Sequence, residues 1–384
     1  MRSNPFEQIR CCYDDGEPLP GLAYRDDEVF AAESETILRD GWTSVACGQN
    51  VARCGDLFPV RIAGQSLLIL RDDDDTIRVF YNLCRHRGAP LADVQCSARA
   101  GRITCPYHAW SYGLDGELLS APHFHREASG APSDAERGEF ALLSIRTAVW
   151  RDIVFVNLSG NAPPFEAFIR PLDERLARWT PSELRPLSSD EYEIRANWKL
   201  TAENFLDGYH LPIVHPQIGN GFGSLQDAED LEISDDIMGI VFPQFYAEDP
   251  EQVSSPLPDF PDLGENDRHS VEAFVIFPNT LILVEPDNQQ VIVLRPQAPD
   301  LTIETFANYV VSDASQSEEL AKDRDELYQS AIEINDQDAS LLARLQMTRA
   351  MDVGVHTHLT QAWDQTNQRF QRLWGNRLLA SVDQ

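Results

Sequence analysis

Two short segments, Cys84-Arg85-His86 and Cys105-Pro106-Tyr107-His108, constrain this chain more than any other feature. Each offers one thiolate and one imidazole, and 18 residues separate the pairs. Two Cys and two His complete a tetrahedral zinc site. Zinc fingers, however, usually keep the cysteines together and the histidines together on a helix. One Cys and one His per loop better suits a two-iron, two-sulfide cluster in which one iron takes both cysteines and the other both histidines. Neutral imidazoles in place of thiolates remove negative charge from such a cluster and raise its potential. The seven cysteines are odd in number, and no secretion signal is visible, which argues against a disulfide framework. Cys11, Cys12, Cys47, Cys54 and Cys96 lack ligand neighbours and read as small apolar residues.

A second constellation begins at Asn197. A helix is expected from near Trp198 toward His210, ended or bent by Pro212. On it Glu203, Asp207 and His210 fall at i, i+4 and i+7, a polar stripe in an apolar segment. A solvated face or a satisfied core network would also account for that stripe. Pro212 favours a site, because it lets His215 fold back beside His210. Two His and one carboxylate form a facial triad that leaves positions on ferrous iron open for oxygen.

The segments Cys84 to Leu91 (CRHRGAPL) and Cys105 to Leu118 (CPYHAWSYGLDGEL) resemble the two cluster-binding loops of Rieske-type oxygenases. The likeness starts at Leu19 to Tyr24 and Gly41-Trp42 and extends through His215, covering at least the first 216 residues. It implies the catalytic alpha subunit of a Rieske non-haem iron oxygenase. Cys84, His86, Cys105 and His108 would hold the [2Fe-2S] cluster, with Tyr107 and Trp110 packed beside it. His210 and His215 would hold a mononuclear Fe(II). The family draws its carboxylate ligand from a late helix, eight residues before a glutamine; opposite Gln346 this selects Asp338 over Asp336. In the family the aspartate at the position of Asp207 links a cluster histidine of one subunit to an iron histidine of the next, which implies a homotrimer. Glu203 would play a weaker version of that role, or pair with Lys199 or Arg195. O2 would be the co-substrate, and electrons would arrive from NAD(P)H through a flavin reductase or ferredoxin.

The implied fold is α+β: an antiparallel β Rieske domain, residues 43–158, inserted into a helix-grip catalytic domain formed by residues 1–42 and 159–384. The local patterns agree. Val60 to Ile62, Leu67 to Leu70, Ile77 to Tyr81, Ile103 to Cys105 and Arg146 to Leu158, broken near Arg151, read as strands. Phe165 to Trp179 has helical spacing, and Tyr192 to Ala196 is a strand. Gly219 to Arg268 reads as a long acidic loop region with at most short elements. Val271 to Phe277, Thr280 to Glu285, Gln290 to Arg295 and Thr302 to Val311 read as antiparallel strands before a helix from Ser317 to Thr348.

Charge narrows the partners. The net charge of −31 repels phosphate backbones and anionic membranes, so no nucleic acid or membrane partner is expected. Against it, Arg85, Arg87, Arg99 and Arg102 form a basic island for an acidic electron donor. The longest uncharged apolar run, Ala273 to Val284, is 12 residues, short of the roughly 20 a membrane helix needs. Without a visible signal peptide, the expected location is cytoplasmic. The expected reaction is hydroxylation or oxidative demethylation of a small aromatic, methylamine or quaternary ammonium compound. Ring cis-dihydroxylation, or a non-catalytic Rieske carrier that binds a ligand, are the alternatives. The pocket is expected among Phe222, Phe242, Phe245, Tyr246, Trp363 and Phe370. The pairs His123 with His125 and His356 with His358 are read as structural.

Overall fold

The computed structural model describes residues 4–124, 131–218, 227–243, 256–351 and 357–382. Phe222, Phe245, Tyr246, His125 and His356 lie outside them. The chain divides into two compact units, one of Met1–Leu38 with Pro163–Gln384 and one of Arg39–Ala162.

The Arg39–Ala162 unit is built from three small antiparallel sheets. Gln65–Arg71 lies between Ile77–Tyr81 and Asp56–Ile62 in the largest. Thr43–Cys47 pairs with Ile153–Asn157, which pairs with Arg146–Trp150. The break expected near Arg151 is a two-residue hairpin turn, with Arg151 at φ 49° and Asp152 at φ 65°. Positive φ at both central residues matches the right-handed twist of the flanking strands. The third sheet, Ile103–Thr104, Ser111–Tyr112 and Leu118–Ser120, is short because its job is to hold a loop. Leu68, Leu70, Phe80, Trp110, Tyr112 and Leu118 form the core of this unit.

The other unit is organised by a seven-stranded antiparallel sheet. Its order is Glu229–Ser234, Ile237–Phe242, Val271–Ile276, Thr280–Val284, Asn288–Ala298, Leu301–Val311 and Leu184–Ile194. The last strand closes against Leu301–Val311 from far earlier in the chain, so the sheet forms only once both halves are present. The first two strands, six residues each, fall within Gly219 to Arg268, where at most short elements are expected. Ile237–Phe242 is buried throughout, and its alternation is hidden because both faces are covered. Glu229–Ser234 is an edge strand whose acidic residues face outward.

The 29-residue helix Ala321–Arg349 buries Ala331, Asn335, Leu342 and Gln346, spaced by four, seven and four residues along one stripe. Gln365–Val382 adds Phe370, Trp374 and Leu378 to a core shared with Trp198, Phe277 and Tyr24. Inside that core, Lys199 and Glu33 form an ion pair with both side chains fully buried. Trp198 Nε1 and Trp374 Nε1 donate to the same Glu33 carboxylate, at 3.1 and 2.7 Å. Burial pushes the Lys199 ammonium below its ordinary value, against the pull of Glu33. No helix among the described residues is long and apolar enough to cross a membrane.

Candidate metal centres

The two cysteine-histidine loops are built alike. Gly88 N donates to Cys84 O at 2.8 Å, and Ala109 N to Cys105 O at 3.1 Å, so each loop closes four residues after its cysteine. Gly88 and Ala109 both adopt left-handed φ, 71° and 58°. Left-handed alanine costs energy, and such strain persists only where surroundings enforce it. Cys84 and Cys105 are buried. Burial pushes the Cys84 thiol up, with Cys105 adding to this and Tyr112 and the His86 N–H opposing it. The Tyr112 hydroxyl lies 3.2 Å from Cys84 Sγ and accepts from Arg85 N at 3.0 Å. The His86 and His108 ring centroids are 4.7 Å apart. His86 stacks on Trp110 at 5.0 Å, and its Nδ1 is buried without a hydrogen-bond partner. Two thiols and two imidazoles thus converge, with an orphaned ring nitrogen, as a cluster bound by one Cys and one His from each loop requires. Trp110 is buried beside the histidines, but Tyr107 is mostly exposed and covers only His108, their ring centroids 3.7 Å apart.

The helix expected to reach His210 stops at Phe205. Asp207 Oδ1 accepts from Tyr209 N at 2.7 Å, an Asx turn that competes with helix continuation. Gly208 then passes under the Phe242 ring; a Cβ there would sit 3.1 Å from it. Glu203, Asp207 and His210 therefore do not share one helical stripe. Pro212 does not end a helix but begins one, in the first turn of Leu211–Val214. His210 and His215 stand at the two ends of that single turn, their rings 5.2 Å apart.

Asp338 enters from Ala321–Arg349. Its Oδ1 lies 3.0 Å from His215 Nε2 and 3.5 Å from His210 Nε2. One ligand atom from each of His210, His215 and Asp338 lies within 4.8 Å of the others, a set able to hold one ion. Asp336 is exposed. The register of the helix is fixed by Gln346, which accepts from Asn197 N and donates to Tyr24 O, each at 3.0 Å. Asp207 Oδ2 lies 3.4 Å from the outer nitrogen, Nδ1, of His210. Neither ring nitrogen of His210 makes a hydrogen bond, although both are buried. Burial would pull the His210 imidazole down, but Asp207 and Asp338 outweigh it and hold it at about 9. Burial would likewise raise Asp338, but His210 and His215 hold it at about 2. The carboxylates here demand positive charge, and a divalent cation fits both that demand and the unbonded Nε2 of His210.

Glu203 belongs to another network. Its carboxylate accepts from Tyr24 Oη at 2.7 Å and Gln371 Nε2 at 3.2 Å. Neither expected salt bridge forms, since Lys199 pairs with Glu33 and Arg195 with Glu193. Of the expected pocket aromatics, Phe370 is fully buried against Trp198 and Phe277. Phe242 and Trp363 pack around Gly208, and Trp363 stacks on half-exposed Tyr209 at 5.7 Å. Tyr209 and Gln337 also lie here, and the sequence carries no signal for either. A cleft of about 890 Å³ is lined by charged groups such as Glu232, Arg369 and Arg377 and by none of His210, His215 and Asp338.

Residues 41–142 match the Rieske [2Fe-2S] domain, and residues 181–380, just over half of the chain, match the ring hydroxylating alpha subunit (catalytic domain). The chain is 31% identical over 212 residues to the glycine betaine monooxygenase oxygenase subunit of Chromohalobacter salexigens, covering 55% of this chain and 46% of that protein. It is 31% identical over 200 residues to the carnitine monooxygenase oxygenase subunit of Escherichia coli K12, covering 52% of each. It is 29% identical over 220 residues to the N,N-dimethyl phenylurea N-demethylase alpha subunit of a Sphingobium species, covering 55% of this chain and 47% of that protein. The chain thus spans about half the length of the curated relatives it matches. The fold is shared with a quaternary ammonium Rieske monooxygenase in complex with gamma-butyrobetaine (TM-score 0.75, 23% identity, 98% and 99% of the two chains covered). It is also shared with naphthalene 1,2-dioxygenase from Rhodococcus (TM-score 0.78, 20% identity, 98% of each chain covered). The two matched domains imply a Rieske [2Fe-2S] cluster and a mononuclear iron. With both domains present in order along one polypeptide, the chain belongs to the Rieske-type ring-hydroxylating alpha-subunit family.

Proposed function

We propose that this protein is a terminal oxygenase component that uses O2 and reductase-derived electrons to oxidise a small organic substrate. The observation that carries the proposal is the convergence of His210, His215 and Asp338 on one point. Cys84, His86, Cys105 and His108 are assigned to the cluster, and His210, His215 and Asp338 to the iron. When bound, the cluster supplies single electrons, and the ferrous ion, held on one face, offers open positions to dioxygen. Asp207 orients His210 through Nδ1, leaving Nε2 for the metal. It remains partly exposed, as a residue that also meets a neighbouring subunit of a homotrimer would be.

The preferred substrate class is a methylated nitrogen compound, oxidatively demethylated. The relatives named for carnitine, glycine betaine and N-demethylation favour it, and the Tyr209 and Trp363 stack, whose tyrosine directly precedes His210, offers aromatic faces to a methylated cation. An acidic ferredoxin or flavin reductase would dock on exposed Arg87, Arg99 and Arg102. Arg85 contributes less, because its guanidinium is tied to the carbonyls of Ala141 and Glu139 at 2.8 and 3.4 Å. The test is oxygen uptake and formaldehyde release with a reductase, across quaternary ammonium compounds, dimethyl phenylureas and unsubstituted aromatics. Formaldehyde matching oxygen consumed is expected with one of the first two. Coupled turnover of unsubstituted aromatics alone would overturn the substrate class.

A further inference from the structure

We infer that Gln337 is the positioning residue of His215, fixing which of its ring nitrogens faces the metal. The inference rests on the metal reading of the site given above.

His215 is fully buried and has contacts on both ring nitrogens. Its Nδ1 lies 2.6 Å from Gln337 Oε1, and its Nε2 lies 3.0 Å from Asp338 Oδ1. Gln217 Nε2 donates to the same Gln337 oxygen at 2.9 Å. An amide oxygen can only accept, so two donors converge on it and His215 Nδ1 must carry its hydrogen. In the neutral imidazole, Nε2 then holds the lone pair. That lone pair faces a carboxylate oxygen, an arrangement of two acceptors that a cation between them resolves.

Consecutive residues on a helix point about 100° apart. One turn of Ala321–Arg349 can therefore send the Asp338 carboxylate to the inner side of His215 and the Gln337 amide to its outer side. The helix grips the imidazole at both nitrogens, so the ligand and its orienting partner move as one body. His210 is held differently, with a carboxylate, Asp207, 3.4 Å from its Nδ1. A charged acceptor raises the basicity of its imidazole, while a neutral amide orients without adding charge. Three carboxylates around one dication would leave the site anionic; Gln337 supplies the geometry without that excess.

The probe is Co(II), titrated calorimetrically into protein that keeps its cluster but has been stripped of mononuclear metal. Gln337→Leu and Gln337→Met both remove the acceptor and retain helix preference; either one that leaves the visible cluster spectrum and the melting temperature unchanged is a valid comparison. Each is expected to bind Co(II) about 10–100-fold more weakly, the usual loss for such partners. Gln337→Glu restores an acceptor and is expected to bind at least as tightly as the unmodified protein. Gln217→Ala, which frees the amide without removing it, is expected to lose less than Gln337→Leu. Co(II) affinity within twofold of the unmodified protein in a folded Leu or Met variant would overturn the inference. If His210→Ala binds Co(II) as well as the unmodified protein does, the metal reading itself fails, and the role of Gln337 falls with it.

Discussion

His215 Nε2 and Asp338 Oδ1 lie 3.0 Å apart although 123 residues separate them in sequence. One comes from the end of a single helical turn and the other from the middle of a 29-residue helix. What brings them together is the pairing of each element with the strap around Tyr24: Asn197, which caps the helix leading to the histidines, and Gln346 both donate to Tyr24 O.

The carboxylate assignment gives the first prediction. Asp338→Ala should abolish mononuclear metal binding, whereas Asp336→Ala, at an exposed position, should leave affinity within about twofold. Calorimetric titration of Co(II) into both variants checks this; the reverse pattern would show that the helix presents its other face.

Asp207 supplies the second. Asp207→Ala should keep both metals bound and the cluster reducible, while substrate turnover falls by about tenfold to a hundredfold. Metal analysis beside steady-state oxygen uptake distinguishes this from loss of iron. Turnover within threefold of the unmodified protein would reduce Asp207 to the Asx turn it makes with Tyr209.

The four residues proposed for the cluster are legible because Cys and His at short spacing inside one loop are a local signal. The residues proposed for the iron are half legible. His210 and His215 stand five residues apart, but the helix expected to carry His210 stops short: the Asp207 turn with Tyr209 is local, whereas the close pass of Gly208 beneath Phe242 depends on a distant strand. Glu203 carried the right spacing for a role beside His210, and Tyr24 and Gln371 took it elsewhere. The strand Ile237–Phe242 was masked by its acidic, glycine-rich surroundings. Gln337 gave no signal, because its function comes only from facing His215.

The buried pair of Lys199 and Glu33 sets a stability prediction. Removing one partner of a buried pair strands the other charge, a loss of about 3–5 kcal/mol, so Lys199→Met should cost that much in urea unfolding. Adding Glu33→Gln removes the stranded charge and keeps an acceptor for one of the two indoles, which donate to different Glu33 oxygens, and should recover part of that loss. A loss below about 1 kcal/mol for Lys199→Met would contradict the account.

Glu304 sets the pH dependence. Burial pushes its carboxyl up to about 7, with Asn335 opposing and Asp338 adding to the rise. A carboxyl raised in the folded state adds stability below its ordinary value near 4.5, and that stability is lost as pH climbs to about 7. Glu304→Gln should therefore stabilise the metal-free protein by about 2 kcal/mol more at pH 8 than at pH 5. Equal gains at both pH values in urea unfolding would place Glu304 outside this description.

A two-iron cluster and a separate mononuclear iron on one chain fix a metal stoichiometry. Iron, zinc and acid-labile sulfide should be measured on anaerobically purified protein, beside Cys84→Ser and His210→Ala. About three irons and two sulfides per chain are expected, with colour lost in Cys84→Ser, and colour kept with one iron lost in His210→Ala. A colourless protein holding stoichiometric zinc without labile sulfide would contradict that stoichiometry.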